Sequence, residues 1–580
     1  MFNRDHPDRA LAALVFVIAA VARMLYIYSV WDSPSVQYVM GDAQAYHERA
    51  LEIVAGDWLG NRAFYQDPLY PYFLATLYSL FGSGSVRVLF VQTALGATTA
   101  LMVFWIARAL FGKREALLAG LFAALYPVSF YYEALLLKVS FSLFLTTAAL
   151  MLCLRADRTS ESASHGSRAN VGGWLLAGFS FGLATLTRGN FLLFVPVLLA
   201  WVWWGQGKGM RRPMAIGAVT VGLALAILPV TLRNAYVSGD FVLITSQAGQ
   251  NFYIGNYRGN HSGAYRTLPF ARAHPRFEEE DMRSEAERRA GHSLSPSELS
   301  RFWFHEAVAE IQADPAHTAR LAWRKLRLFT NHYEVPDNYS FDYFRSELSP
   351  LLRLPLLSWG ILFPLALVGA FFVRANRRAI LLTSYVATYL VSVVLFYTSS
   401  RYRMPVVPIV LVFAAGGTAR IANLIREREW RTTLTALGFL ALAWSVTHQD
   451  LVQDDLTLYR LKLGTQHQIR AQKAQGEAVE LIAAREYVAA DSAMARYTEL
   501  FELAEPHLRA ALEARPHNPK AQQIFLQMMV LRIKALEAFG NYPEALTAAR
   551  LLTETLPNRS ISWRLLRDMQ EHAEFDELER

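Results

Sequence analysis

The run LAALVFVIAAVARMLYIYSV, residues 11–30, is long and apolar enough to cross a bilayer as one helix. About 20 residues rising 1.5 Å each span the roughly 30 Å hydrocarbon layer. AVA at 20–22 looks like a signal-peptidase site. The apolar run nevertheless continues through Met24, Leu25, Tyr26 and Ile27, which predicts an uncleaved anchor. Comparable runs recur and predict about eleven spans. They fall at roughly 11–30, 86–111, 115–131, 137–154, 172–187, 190–205, 213–232, 354–373, 379–397, 404–424 and 432–447. With 53% hydrophobic and only 18% charged residues among 580, the composition excludes an ordinary soluble domain. The expected fold is an all-α polytopic membrane protein.

Basic residues in short loops predict the orientation. Lys113 and Arg114, Arg155 and Arg158, Lys208 with Arg211 and Arg212, Arg374 with Arg377 and Arg378, and IREREWR at 425–431 fall on one side, together with Arg4 and Arg9. That side reads as the cytoplasm. The loop around Asp42, the long loop from about 234 to 352 and everything after 448 then read as extracytoplasmic. The net charge of +8 reflects the inner-loop cations and contact with anionic lipid, not nucleic acid. The one cysteine, Cys153, lies in a predicted span, so no intramolecular disulfide is available.

Two domains are expected: a membrane domain over 1–448, with loops at about 31–85 and 234–352, and a polar helical domain over 449–580. In the long loop, FVLIT at 241–245 reads as a short strand. SPSELSRFWFHEAVAEIQADP, from Ser295, reads as a helix opened by a capping box. In the tail, Ala504, Leu508, Ala511 and Pro516 are echoed by Ala545, Ala549, Leu552 and Pro557, 41 positions on. ALEAFGNYPEALTAARLLTETLPN looks like a tetratricopeptide unit. An ordinary helical domain fits as well, and both readings point to protein contact or bracing.

The candidate chemistry lies in the outer loops. YVMGDAQAYHERALEIVAGDW, residues 38–58, opens a polar helix on one carboxylate, Asp42, read as the cap of a helix from Ala43 to Ala55. Tyr46 shares its face, while His47 and Glu48 look sideways or to water. Arg62 and Asp67 read as a loop salt bridge. The turn after YYE places Glu133 and Lys138 outside, with a pair between them as the default. TLTRGNF puts Arg188 between two spans, where it either binds an anion or reaches the interface. In SSRYRMP, Arg401 and Arg403 flank Tyr402 on the outer side, against the charge trend, and call for a lipid headgroup or a phosphorylated substrate. One carboxylate and several cations suit transfer from a lipid-linked phosphate. The phosphate leaves as a stable anion, so cations to hold it and one base suffice.

Five segments, in order, resemble the bacterial protein-mannosyltransferase-like glycosyltransferases of the GT-C fold, the group that includes lipid A aminoarabinose transferase. They are GDAQAYHERA, DPLYPYFLATLYSLFG, ALFGKREALLAGLFAALYPVSFYYEALLLKVSF, AGFSFGLATLTRGNFLLFVPVLL and SSRYRMPVVPIVLVFAAGG. The likeness covers roughly residues 10–425. It implies inverting transfer of a sugar from a polyprenyl phosphate at the outer face of a bacterial inner membrane, with the first-loop acid at Asp42 as general base or acceptor-orienting group. Many members carry two adjacent acids; here Ala43 follows. The resemblance sets Arg188, Arg401 and Arg403 near the donor phosphate and a polar group at Glu133. It also brings Asn251, Tyr253 and Asn256 of QAGQNFYIGN toward sugar or acceptor.

The expected function is therefore a membrane glycosyltransferase using a polyprenyl-phosphate sugar, with an acceptor that is a protein, glycan or lipid. No metal-ligand spacing stands out, and a divalent cation helped by Asp42 stays open. A flippase of lipid-linked sugars would show charges near span centres and related halves. A scaffold acting through its tail would leave Asp42, Arg401 and Arg403 dispensable. A diphosphate-linked oligosaccharide donor remains compatible with the two outer arginines.

Overall fold

The computed structural model describes residues 6–37, 39–161, 170–205, 210–272, 275–353, 357–452, 456–538 and 540–579. Two compact units form, residues 1–452 and 453–580.

In the first unit the apolar run around residues 11–30 becomes α1 (His6–Val30). A polar helix, α2 (Asp42–Val54), and an aromatic one, α3 (Leu69–Phe81), then pack on each other. The next helices are α4 (Ser85–Leu110), α5 (Lys113–Leu125), α6 (Pro127–Glu133) and α7 (Val139–Glu161). α1 rests on α4 and α5. Arg108 Nε to Asp8 Oδ2, 2.9 Å, ties the starting end of α1 to the far end of α4. Pro127 bends α5 and α6 by 47°, because its ring cannot continue the preceding helix.

Among the described residues six helices are long and apolar enough to span a bilayer, or seven with the bent pair counted as one. Val171–Thr185, Gly189–Gly205 and Trp359–Phe372 are shorter apolar helices. The expected span at 190–205 opens with a 3-10 turn over Gly189–Phe194, and the one at 354–373 begins as helix only at Trp359. Residues 354–356 lie outside the described set.

α8 (Val171–Thr185) and α9 (Arg211–Ser238) approach so closely that only glycine fits between them. A Cβ on Gly178 would stand 2.2 Å from the Val219 carbonyl oxygen, and one on Gly222 2.2 Å from that of Leu175. Such small-residue contact is how helices pack in lipid, where no hydrophobic effect drives them together.

After α9 the chain does not form the strand expected at FVLIT. Asn234 Nδ2 donates to the Val242 and Ile244 carbonyls (3.0 and 2.9 Å), and Thr231 Oγ1 donates to that of Leu243 (2.7 Å). The segment satisfies these backbone acceptors on side chains of α9 and needs no ladder partner.

The long loop forms the helices α10 (Ala248–Asn256), α11 (Pro275–Ala290), α12 (Pro296–Ala313) and α13 (Pro315–Thr330), followed by short helical turns over residues 341–353. Ser295 and Glu298 close the expected capping box on α12. The helices α10, α11 and α12 share a core of Tyr253, Ile254, Met282, Leu299 and the fully buried Trp303. The remaining helices of this unit are α14 (Trp359–Phe372), α15 (Arg377–Leu395), α16 (Val407–Arg426) and α17 (Trp430–Thr447), with a short turn at Ser400–Arg403 before α16.

The second unit contains α18 (Leu456–Ala483), α19 (Tyr487–Ala514), α20 (Pro519–Ala538), α21 (Tyr542–Thr555) and α22 (Ser560–Glu579), each packed on the next. The echoed positions Ala504, Leu508, Ala511, Ala545, Ala549 and Leu552 are all fully buried in its core. Gly540, at φ 71°, makes the turn between α20 and α21.

Candidate active site

Asp42 is not the cap of its helix. Gly41 occupies that position at φ 57°, no side chain caps the helix, and α2 begins at Asp42 itself. The carboxylate is thereby released for tertiary contacts. Its Oδ2 pairs with Arg401 Nη1, and its Oδ1 accepts from Gln66 Nε2 at 3.0 Å. Burial by itself would raise this carboxyl, but Arg401, with Lys138 and Asn338, outweighs it and holds Asp42 below the usual carboxylate range. A second carboxylate, Asp337, takes the other edge of Arg401 at Nε. The positive charge of Arg401 is thus matched by two acids.

Arg188 differs. It is 4% exposed, and among the described residues no carboxylate lies within ion-pairing distance of it. Its Nη2 donates to the Arg401 carbonyl at 3.1 Å, its guanidinium lies 5.1 Å from the centre of the Tyr402 ring, and its Nε is buried without a hydrogen-bond partner. It does not reach for the interface. Lys138 lies within electrostatic reach of Arg188, pairs with Asp67, and sits 5.9 Å from the Tyr46 ring centre.

Arg403, expected beside Arg401 at the phosphate, points elsewhere. It is 2% exposed, pairs with Glu334 Oε1 at 2.6 Å, and donates to the carbonyls of Asn331 (2.7 Å) and Tyr333 (3.0 Å). Its role in this arrangement is structural, joining the segment after α13 to the start of α16.

The expected pairs are re-sorted as well. Asp67 bonds Lys138 instead of Arg62, and Glu133 bonds Arg23 of α1 at 2.7 Å instead of Lys138. Arg23 and Glu133 are 3% and 4% exposed. Arg23 is a charge inside the first apolar run, and its partner arrives from 110 residues away. His47, expected to face water, shares a 2.7 Å hydrogen bond with the Tyr78 hydroxyl.

On the long-loop side, Asn251 Oδ1 accepts from the Tyr397 hydroxyl at 3.0 Å, and Tyr397 stands edge-on to Tyr402 at 5.5 Å. Asn251 and Tyr402 thus join the Asp42 cluster through one tyrosine. Tyr253 instead packs on Trp303 at 4.7 Å inside the loop's own core. Asn256 holds buried Lys325 Nζ at 2.9 Å and donates to the Phe252 and Leu395 carbonyls. Burial pushes the Lys325 ammonium down to about 7. Among the described residues no three His, Cys, Asp or Glu side chains gather as metal ligands. Sequence reasoning missed Gln66, Asp337 and Lys325. Nothing in their local spacing marks them, since each acquires its role from a partner distant in the chain.

The fold and site define an all-helical polytopic membrane protein whose loops enclose a buried carboxylate–arginine centre. Residues 65–231 match the dolichyl-phosphate-mannose-protein mannosyltransferase family, in line with the resemblance read from the sequence. The chain is similar to the undecaprenyl phosphate-alpha-4-amino-4-deoxy-L-arabinose arabinosyl transferase of Edwardsiella ictaluri, 30% identical over 234 residues, 38% of this chain and 41% of that protein. It is also similar to the enzyme of that name from Aeromonas hydrophila, 32% identical over 172 residues, 27% of this chain and 29% of the relative. The chain thus spans less than half the length of these curated relatives. Among solved structures, ArnT from Cupriavidus metallidurans bound to undecaprenyl phosphate aligns over 93% of this chain and 80% of its own, at 15% identity and a TM-score of 0.42. The apo oligosaccharyltransferase of Archaeoglobus fulgidus aligns over 80% of this chain and 58% of its own, at 15% identity and a TM-score of 0.45.

Proposed function

We propose that this chain is an inverting, GT-C-type glycosyltransferase. It moves one sugar from a polyprenyl-phosphate carrier to an acceptor hydroxyl at the outer face of a bacterial inner membrane. The observation that carries this reading is Arg188. A buried guanidinium without a carboxylate calls for an anion, and a phosphate matches its fork geometry. The named activity of the curated relatives supports the same donor class.

In this reading Arg188 and Lys138 hold the donor phosphate, and Tyr402 closes one wall beside it. The acceptor hydroxyl attacks the anomeric carbon from the face opposite the phosphate. The bond from that carbon to the phosphate oxygen breaks, and its electron pair stays on the phosphate, where the cations stabilise the growing charge. Asp42 and Asp337 clamp Arg401 from two sides, which places the Arg401 carbonyl under Arg188. Held this way, Asp42 is a weak base and acts mainly as a positioning residue. The helical domain over 449–580 lies outside the cytoplasm in this reading and meets a protein partner.

The test is transfer in proteoliposomes from radiolabelled undecaprenyl-phosphate sugars, the 4-amino-4-deoxy-arabinose derivative among them, into a bacterial envelope extract. Wild type is expected to transfer from at least one donor. Arg188→Gln should bind undecaprenyl phosphate at least 100-fold more weakly. No transfer from any donor, or unchanged binding by Arg188→Gln, would sink the reading.

A further inference from the structure

One carboxylate near Asp42 is engaged by no cation among the described residues. Glu278 lies in the first turn of α11, and α11 packs on α2, the helix that Asp42 begins. It is 9% exposed. Its Oε2 accepts a hydrogen bond from the Tyr265 hydroxyl. Tyr265 stands edge-on to Tyr397 at 5.6 Å, Tyr397 edge-on to Tyr402 at 5.5 Å, and Tyr402 carries Arg188 near its ring. A continuous tyrosine wall therefore runs from a buried carboxyl at one end to the unmatched guanidinium at the other.

An inverting transfer needs this kind of separation, with the proton acceptor and the departing phosphate on opposite faces of the sugar. We propose that Glu278 is the catalytic base, taking the proton of the attacking acceptor hydroxyl while the phosphate leaves toward Arg188. The assignment rests on the glycosyltransferase reading above and refines it. As the oxygen bonds to the anomeric carbon, its proton passes to the Glu278 carboxylate, the bond to phosphate breaks, and polyprenyl phosphate departs with the electron pair. The resulting neutral Glu278 then returns its proton to solvent.

The surroundings of Glu278 suit that role better than those of Asp42. Burial pushes the Glu278 carboxyl up to about 7, with the nearby Asp42 and Asp337 carboxylates adding to the rise and the Tyr265 hydrogen bond opposing it. Tyr65 also faces it, its hydroxyl raised by burial and by Glu278. Burial also pushes the neighbouring Glu279 carboxyl up, but there the charges of Arg62 and Arg283 oppose the rise. A base poised near the operating pH transfers protons most effectively, and such catalysis is worth typically 10²–10⁴-fold. The charge-matched Asp42 is held at the other extreme.

The experiment uses the full chain in proteoliposomes with whichever labelled undecaprenyl-phosphate sugar the wild type accepts, read as kcat against pH, alongside undecaprenyl phosphate binding. Wild-type kcat is expected to rise with pH to a plateau above about 7. Glu278→Gln should lose at least 100-fold in kcat and lose the rising limb, while binding undecaprenyl phosphate within twofold of wild type. Tyr265→Phe removes the hydrogen bond that favours the charged carboxylate, so its rising limb should move to higher pH with the plateau kept within a few-fold.

Near-normal transfer by Glu278→Gln, a retained rising limb, or an unmoved limb in Tyr265→Phe overturns the base assignment and leaves the glycosyltransferase reading standing. Loss of transfer together with loss of carrier binding in Glu278→Gln makes Glu278 structural and also overturns the assignment. A wild type that transfers from no donor fails the glycosyltransferase reading, and this proposal falls with it.

Discussion

With Gly41 at φ 57°, the chain enters α2 by a turn that an L side chain rarely adopts, and Asp42 is aimed across the site. A methyl group at Gly41 would also meet Asn338 Oδ1 at 2.5 Å. Gly41→Ala is therefore expected to lower stability by about 1–2 kcal/mol. It should also slow transfer about tenfold. Melting temperature and initial rate check this, and a wild-type rate would show that the direction of Asp42 does not matter.

The two arginines the sequence treated alike should also part. Arg403→Gln leaves Glu334 buried without its cation, a loss on the order of 3–5 kcal/mol that a melting curve detects. Arg188→Gln removes a buried cation that no carboxylate balances, so its melting temperature should hold or rise while carrier binding fails. Equal destabilisation by both would contradict this division of labour.

Helix contacts in the membrane unit rest on surface shape more than on hydrophobic burial. α8 and α9 meet through Gly178 and Gly222, with backbone carbonyls standing where side chains would. Gly222→Val is expected to force the pair apart at about 1–3 kcal/mol. Thermal unfolding in detergent should show an earlier transition. An unchanged transition would mean that the contact is looser than the glycines imply. The Arg23–Glu133 pair has a related role between α1 and α6, because either charge alone in that interior would be costly.

The two units have separate cores, and acid should distinguish them. His467 in α18 is 3% exposed and stacks 6.2 Å from His507. Burial, with His507 and Arg470 adding to it, pushes its imidazole down to about 4. The unfolded chain therefore binds the His467 proton more readily than the folded one. The contribution to stability is full above pH 6.5 and is lost as pH falls from 6.5 toward 4. Amide exchange, corrected for its intrinsic pH dependence, should show α18 and α19 loosening over that window, and His467→Gln should flatten the response. Exchange that stays constant across it would place His467 in a wetter setting.

Local pattern carried much of this protein into view. Apolar run length marked the long spans because a bilayer demands about 20 consecutive apolar residues from any helix that crosses it. The box at Ser295 and Glu298 was readable for a similar reason, since a cap is closed by residues three apart. Broken elements were harder to read: the bend at Pro127 and the 3-10 turn at Gly189–Phe194 divide runs that hydropathy alone joins. Asp42 and Arg188 could be singled out as charges against an apolar background, but their partners could not. Arg401 reaches Asp42 across 359 positions, and Tyr397 joins the Glu278–Tyr265 pair from a distant segment. Charge and polarity are properties of a residue and appear in its letter. Which charges are matched and which are left for a substrate depends on long-range packing, and only the folded chain brings those groups within a few ångströms of one another.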